Sequence, residues 1–488
     1  MPRYLVQTFG CQMNVHDSRR IEEVLEAAGW QGTDEAALAD LVLFNTCSVR
    51  EKAEHKLLSV LGTVRGMKEA RPWLVVAVAG CVAQQEGERL LDRAPFVDLV
   101  LGPDNIPELP GLVAEARRGA PPIARTVFDA EDPRFLAAGP RADGSEVSTF
   151  VTVMKGCDER CTFCIVPTTR GPERYRPAAD IVAEIRVMVQ GGVREVTLLG
   201  QTVNSWHEPG EPSAEEGESR FPLLLRRIAA EVPELARLRY TSPHPRHLTA
   251  SLVRAHAELD LLPAHVHLPV QSGSDRVLRR MLRRTTRAEY LARTRALATC
   301  RPGGVTLSTD FIVGFPGETR ADFDETLSLV GEAGFVAAFA FKYSPRPGTP
   351  ALRLGDDVPE AEKDERLARL LERVGEQQRA HLESLVGTTT TVLVEGLSDT
   401  RSDGEPRSAT DLRWRGRSHR HEIVHVEVPR ERDPLGALLP VVIERAHAHS
   451  LVGRADPAAV LALPSRTPRP PPAARVRLPV SRSTAASR

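Results

Sequence analysis

Short apolar blocks alternate with amphipathic stretches along the first hundred residues, a rhythm that predicts strand followed by helix. Residues 4–8 form an apolar run ending at Gly10-Cys11, and Asp17 and Ser18 are positioned to cap a helix over 20–28 that Gly29 stops. A second strand over 40–44 ends in Asn45-Thr46-Cys47, and Ser48 and Glu51 have capping-box spacing for the next helix. Residues 74–79 are continuously apolar, as a buried parallel strand requires, and end at Gly80-Cys81. A strand over 97–101 and a helix over 107–118 complete an open, Rossmann-like α/β layer spanning 1–118.

Residues 119–146 are rich in Pro, Gly, Ala and charge and read as a linker. A second α/β series follows, with strands expected at 150–154, 195–199, 238–241, 265–269, 306–313 and 338–343. Helices are expected between them at 178–190, 222–230, 287–299 and 321–333. Six such units, closed by a charged helix over 359–384, predict a partial (β/α)6 barrel over 147–384, with its chemistry at the carboxyl ends of the strands. The period then changes to alternation at 388–395, 422–428 and 439–445, with a last turn at 451–453. That pattern predicts a small antiparallel β-barrel over 385–455. Residues 456–488 are Pro-, Ala- and Arg-rich with no acidic residue after Asp456, a composition expected to be disordered.

Composition narrows the class. A chain of 488 residues is long enough for three domains, and no stretch approaches a membrane span. The segment Met1–Gly10 lacks a charged region followed by an apolar run, so it does not read as a signal peptide. Seven cysteines, an odd number without a secretion signal, argue for metal-bound thiolates in a reducing cytoplasm rather than a disulfide framework. The formal net charge of −1 does not announce a nucleic-acid partner, so any RNA-binding face must come from local clustering.

Local clustering is strongest in the cysteines. Cys157-x-x-x-Cys161-x-x-Cys164 packs three thiols into eight residues just after the first barrel strand. A [4Fe–4S] cube has four irons, so three ligands leave one iron open to a small molecule. Gly156 permits a sharp turn before the loop, and Phe163 is placed to cover the cluster. A zinc knuckle is the alternative, although structural zinc sites are closed with four ligands. Cys11, Cys47 and Cys81 each fall just past the carboxyl end of a predicted parallel strand, the edge where open α/β sheets bind ligands. Three buried packing cysteines would account for them too, but would be expected inside the strands. A second three-ligand cluster is the preferred reading. Cys300, at a helix end, reads as a packing residue.

These motifs resemble the radical S-adenosylmethionine (SAM) methylthiotransferase family. The resemblance rests on Cys11-Gln12-Met13-Asn14 with Asp17-Ser18, on Asn45-Thr46-Cys47-Ser48-Val49-Arg50-Glu51-Lys52-Ala53, and on Cys161-Thr162-Phe163-Cys164-Ile165-Val166-Pro167 with Thr169-Arg170-Gly171. It continues through Leu199-Gly200-Gln201-Thr202-Val203-Asn204-Ser205, His267-Leu268-Pro269-Val270-Gln271-Ser272-Gly273-Ser274, Asp310-Phe311-Ile312-Val313-Gly314-Phe315-Pro316-Gly317-Glu318-Thr319 and Tyr343-Ser344-Pro345-Arg346-Pro347-Gly348-Thr349. It covers about residues 3–454. Two departures stand out. Tyr175 occupies a place where a small residue is expected. In the last domain, His421 and Glu427 replace the asparagine and aromatic usual in the TRAM RNA-binding module, while Gly416-Arg417-Ser418 is kept.

The resemblance implies two [4Fe–4S] clusters and two SAM molecules per turnover. A methyl group goes to sulfur at the Cys11/Cys47/Cys81 cluster, and a radical made from SAM at the Cys157 loop starts insertion of the methylthio group at an adenine carbon. The Cys-Gln-Met-Asn and Ser-Val-Arg-Glu-Lys-Ala strings are similar to the branch that modifies isopentenyl-adenosine beside the tRNA anticodon (position 37). Other branches act on threonylcarbamoyl-adenosine or a ribosomal protein. Phe163, Gln201, Gln271, Ser272 and Gly314 are the candidate SAM-binding residues. Arg413, Trp414, Arg415 and Arg417 combine cations with a stacking ring, as an RNA loop binder needs, and the Arg-rich tail from Arg466 could add phosphate attraction. Expected partners are the tRNA anticodon loop, an electron donor such as flavodoxin or ferredoxin, and iron–sulfur assembly and sulfur donors, with no membrane and a monomeric chain. An iron–sulfur RNA-binding protein and a redox sensor are the non-enzyme alternatives.

Overall fold

The computed structural model describes residues 1–48, 51–128, 135, 139, 144–211, 218–398 and 410–465. Six parallel strands build the first sheet: β1 (Arg3–Phe9), β2 (Gln31–Gly32), β3 (Leu41–Thr46), β4 (Val75–Gly80), β5 (Leu99–Leu101) and β6 (Ile123–Arg125), in the order β2-β1-β3-β4-β5-β6. β3 and β4 are buried along their whole length because helices cover both faces. Ile21 and Leu25 of α1 (Gln12–Ala27) pack on one side, and Leu57, Val60 and Val64 of α2 (Glu51–Ala70) on the other.

Two expectations are corrected here. Helix α1 begins at Gln12, eight residues before the predicted start, because Cys11 and Asn14 exchange the capping-box bonds. Asp17 and Ser18 therefore lie inside the helix, where Ser18 meets Thr8 and Asn45 through side-chain hydrogen bonds. β6 falls within the stretch assigned to the linker: its three residues pair with β5 and extend the sheet. The Glu51 half of the predicted capping box lies outside the described side chains.

The second unit contains all six expected parallel strands, as two three-stranded halves. β7 (Ser148–Thr152), β10 (Glu195–Leu199) and β11 (Arg237–Tyr240) form one, and β12 (His265–His267), β13 (Thr306–Val313) and β14 (Ala337–Lys342) the other. Among the described residues no ladder joins β11 to β12. Outward-facing Val151, Val196, Leu198, Val266, Leu307 and Phe311 form one core with the surrounding helices. Ala250–Glu258, capped by Thr249, and Asp275–Arg280 are helices that were not predicted. Between β7 and β10 a two-residue antiparallel ladder, β8 (Met154–Lys155) with β9 (Arg174–Tyr175), pinches off the cysteine loop.

The long helix Glu360–Ser384 leads into a closed five-stranded barrel of β15 (Thr389–Leu397), β16 (Asp411–Ser418), β17 (Ile423–Pro429), β18 (Leu438–Ala446) and β19 (Leu451–Ala455). Its ladders are antiparallel except β17 with β19, which is parallel. This barrel sits at the amino ends of the second unit's strands. Arg237, first in β11, donates to the Arg417 and Ser418 carbonyls at 2.8 and 3.2 Å and to the Thr391 carbonyl at 3.0 Å. The His265 ring, first in β12, stacks on His421 at 5.2 Å. The tail expectation is corrected in part: Asp456 caps a helix over Pro457–Leu461, and Leu463 is buried against the barrel. Residues 466–488, with the Arg-rich tail, lie outside the described residues.

Candidate active site

Register brings Cys11, Cys47 and Cys81 together. Phe9 stands opposite Thr46, and Thr46 opposite Gly80, so three strands end on one line. Cys47 and Cys81 follow that line by one residue and Cys11 by two. A Cβ at Gly10 would lie 2.5 Å from the Cys47 Cβ, and one at Gly80 would lie 2.3 Å from Asn45 Oδ1. Both positions have φ in the range that favours glycine, +151° and +93°, so only glycine lets these exits crowd together. Asn14 Nδ2 donates to Asn45 Oδ1 at 3.1 Å, and Asn45 Nδ2 returns to the Asn14 carbonyl at 2.9 Å, tying two of the exits.

The three thiols are unequal. A hydrogen bond from Cys47 draws the Cys11 thiol down to about 6, with Asn14 and the Arg170 charge also lowering it. Burial pushes Cys81 up, against the pull of Arg170. Arg170 is buried and enters from elsewhere, on α6 (Val166–Arg170), which directly follows the Cys157 loop when the helices Cys81–Glu86, Glu88–Arg93 and Leu109–Arg117 are numbered α3 to α5. Its Nε donates to Cys81 Sγ at 3.4 Å and its Nη2 to Asp17 Oδ2 at 2.5 Å. Its carbonyl accepts from Arg174 Nη2 at 2.9 Å, and Arg174 and Lys155 both reach Asp104 of the first unit, at 2.5 and 3.2 Å. One buried chain of charges thus ties Cys81 and the first unit to the segments on either side of the Cys157 loop.

The Cys157 loop is held from four sides. A Cβ on Gly156, whose φ is +80°, would fall 1.8 Å from the Pro172 carbonyl oxygen. Gly156 N donates to Gln201 Oε1 at 2.6 Å, and Cys157 Sγ lies 3.0 Å from Thr202 Oγ1. Arg283 Nη1 points at Cys161 Sγ at 3.6 Å while its Nη2 is anchored on the Pro269 carbonyl at 2.7 Å. Thr162 donates its amide to the Met281 carbonyl at 2.9 Å and accepts Ala351 N at 2.9 Å. Burial raises Cys157 to about 12 and Cys164 to about 11, so iron loading here displaces protons. Among the described residues no three His, Cys, Asp or Glu side chains close around a single ion. A cube binds each cysteine through a different iron, so its ligands stand wider apart than those of one metal ion. Two all-thiol sets in glycine-cleared pockets fit such cubes.

The other expected residues divide. Phe163 is half-buried against the cluster containing Met281, Phe315 and Tyr343. Gln201 uses its carbonyl to hold the loop, and its Nε2 is buried with no partner among the described residues, a donor aimed beside Cys157. Gln271 has φ of +81° and bridges to Phe311 at the end of β13. Ser272 is fully buried, its hydroxyl accepting Ser274 N at 3.2 Å and facing Thr326 at 3.4 Å. Gly314 (φ +68°) makes room for Lys363, whose Cγ a Cβ there would approach to 2.4 Å. Tyr175 packs its ring on His207 at 4.0 Å and bonds Glu173. Cys300 packs against the core, as expected.

Trp414 is a correction. It is only 4 % exposed, inside the five-stranded barrel with Val392, Val426 and Ile443, because β16 alternates Leu412, Trp414 and Gly416 inward. Its ring cannot stack on RNA. Arg413, Arg415 and Arg417 share the outer face, where Arg417 pairs with Glu395 at 3.3 Å. Arg170, Arg283 and Thr202 were not singled out from the sequence, although each lies in or near a quoted motif.

Residues 3–102 match the uncharacterized protein family UPF0004, and residues 151–330 match the radical SAM superfamily. Over 98 % of this chain and 99 % of the relative, the sequence is 59 % identical to a tRNA-2-methylthio-N(6)-dimethylallyladenosine synthase of Sorangium cellulosum (strain So ce56). A protein of the same name from Acidithiobacillus ferrooxidans (strain ATCC 53993 / BNL-5-31) is 45 % identical over 93 % of this chain and 97 % of its own. The chain belongs to the tRNA-2-methylthio-N(6)-dimethylallyladenosine synthase family. As a radical SAM protein of this family it uses a [4Fe–4S] cluster and SAM. The fold is also that of the radical SAM methyltransferase TsrM from Kitasatospora setae, solved with tryptophan and a SAM analogue. The TM-score is 0.51 and identity 15 %, covering 83 % of this chain and 79 % of that one. No helix among the described residues is long and apolar enough to cross a membrane.

Proposed function

We propose that this chain adds a methylthio group to carbon 2 of N6-isopentenyladenosine beside the tRNA anticodon, using two clusters, one on each cysteine set. The observation that carries the two-cluster reading is Arg170: rooted beside the Cys157 loop, it bonds Cys81 of the other set. When loaded, the loop cluster supplies the electron that cleaves SAM, and the second presents the sulfur to be transferred. The residues around them divide the remaining work. Gln201 offers its buried amide N–H beside Cys157, Phe163 shields the loop, and Arg283 directs positive charge at Cys161. Gln271 and Gly314, at strand ends, bound the SAM side, and Ser272 braces the turn between them. Arg170 fixes the two sets relative to each other, so that a base lying between them meets both. That base is unpaired in an anticodon loop, which lowers the cost of reaching it.

On this reading residues 1–118 carry the sulfur, 147–384 the radical chemistry and 385–455 the RNA contacts, through Arg413 and Arg415. The protein works as a cytoplasmic monomer with a flavodoxin or ferredoxin as electron source and with iron–sulfur and sulfur donors. Cys157→Ala should abolish both SAM cleavage and product, whereas Cys47→Ala should still cleave SAM while losing methylthio transfer. Full transfer by either variant in an anaerobic assay would overturn the two-cluster scheme.

A further inference from the structure

Strand β14 exposes two large apolar side chains on one face. Phe339 is 61 % and Phe341 45 % exposed, while the alternating Ala338 and Ala340 pack into the core with the helices. The two phenylalanines therefore face the interior of the partial barrel, and β14 is the terminal strand of its half-sheet. Register sets their neighbours. Phe341 stands opposite Ile312 and Phe339 opposite Asp310. Ile312 packs on the same aromatic cluster as Phe163, so an apolar stripe runs Phe163, Ile312, Phe341, Phe339 from the cysteine loop down into the barrel.

One polar edge borders the stripe. His267 meets the Phe339 ring at 6.0 Å in a T-shaped contact, its Nε2 lies 3.4 Å from Asp310 Oδ1, and its Nδ1 lies 2.9 Å from Ser308 Oγ. Strands β12 to β14 place no lysine or arginine on this interior face, and the one carboxylate disfavours phosphate. Flat rings, a short polar edge and an acid together suit a neutral heterocycle with an apolar substituent.

We infer that Phe339 and Phe341 form the shelf that holds the prenylated adenine, with the isopentenyl group and ring face on the phenylalanines and the base edge toward His267 and Asp310. This rests on the function proposed above and names the residues that select its substrate. The test uses the full-length, reconstituted protein without reductant, so that no turnover occurs. Anticodon stem-loops carrying adenosine or N6-isopentenyladenosine are titrated, and SAM separately, against wild type, Phe339→Ala and Phe341→Ala. Both side chains are exposed, so the variants should unfold at the wild-type temperature. Wild type should prefer the prenylated stem-loop, and each variant should lose about tenfold of that preference, as expected when about two carbons of the isopentenyl group lose their apolar contact. Affinity for SAM should stay within error, and the unmodified stem-loop, which offers the shelf only its ring face, should weaken by less than the prenylated one.

An unchanged preference in the variants, or none in wild type, would remove the shelf from substrate selection. Weaker SAM binding would assign the shelf to SAM, and equal weakening for both RNAs would make it a general RNA contact; each overturns the inference. Product formation by wild type on prenylated tRNA is scored separately by nucleoside mass spectrometry, so failure of the shelf and failure of the proposed function are distinguishable.

Discussion

Arg170 is 4 % exposed and bonded to a carboxylate and a thiol that lie 153 and 89 residues away in the chain. Removing one member of such a buried pair leaves the other charge stranded, which typically costs about 3–5 kcal/mol. Arg170→Met should therefore lower the unfolding free energy by about that amount, and adding Asp17→Asn should recover part of it. Denaturant titration of the single and double variants checks this, and equal losses in both would remove Asp17 as the partner. On the proposed two-cluster reading, the variant should also alter the electron paramagnetic resonance spectrum of the cluster expected on Cys11, Cys47 and Cys81, since a cation bonded to a ligand sulfur tunes its metal site. The convergence of Cys11, Cys47 and Cys81 on one sheet edge was legible from sequence because each follows an apolar strand run, and the Cys157 loop because its three thiols sit close in the chain. Arg170 and Arg283 were not, because Arg170 finds its partners in the first unit and Arg283 reaches a thiol 122 residues away, and no local pattern marks such contacts. Gln201 was legible as a site residue but not in its role, since half of its amide is spent on Gly156.

At the scale of elements, the Cys157 loop depends on a single backbone position. Gly156→Ala would force a methyl group to within 1.8 Å of the Pro172 carbonyl, in a conformation that L side chains rarely adopt. The loop must shift, and its three thiols with it. Iron content measured in a Cys47→Ala background, where the proposed two-cluster scheme leaves the loop as the remaining site, should fall sharply; full retention would contradict the account. The strand rhythm of the first two units was read within a few residues because apolar runs mark the strands, and in β1, β3 and β4 a cysteine marks the exit as well. β16 escaped because arginines at 413, 415 and 417 mask its inward Leu412, Trp414 and Gly416, so an alternating strand looked like a basic loop. β6 escaped because three residues among prolines and glycines carry no periodicity; pairing with β5 and the packing of Ile123 and Ala124 on the two cores hold it.

For the whole molecule, the C-terminal barrel closes the amino end of the radical-SAM strands, opposite the cysteine loop. The stacked His265 and His421 in that interface are held neutral by burial and by the Arg239 charge, with pKa values well below the ordinary one. Arg237 and Arg417 add positive charge around them, while Glu195 and Glu395 oppose it. When the barrel undocks, both rings regain the ordinary value of about 6.5 and bind protons the docked state refuses. Docking is thus fully stable above about pH 6.5 and weakens as pH falls below it, by about 1.4 kcal/mol per pH unit for each histidine. Amide protection across residues 389–455, taken relative to the intrinsic exchange rate at each pH, should fall between about pH 7.5 and about pH 5.5, and His421→Asn should flatten that dependence. An unchanged slope in the variant would exclude this latch.

The central claim is the reaction, and nucleoside mass spectrometry of tRNA tests it most directly. Reconstituted protein is incubated anaerobically with SAM, a reductant and tRNA carrying isopentenyl-adenosine, alongside tRNA carrying threonylcarbamoyl-adenosine. The account predicts the 2-methylthio derivative on isopentenyl-adenosine alone. Product on threonylcarbamoyl-adenosine, or none on either while SAM is still cleaved, would contradict it.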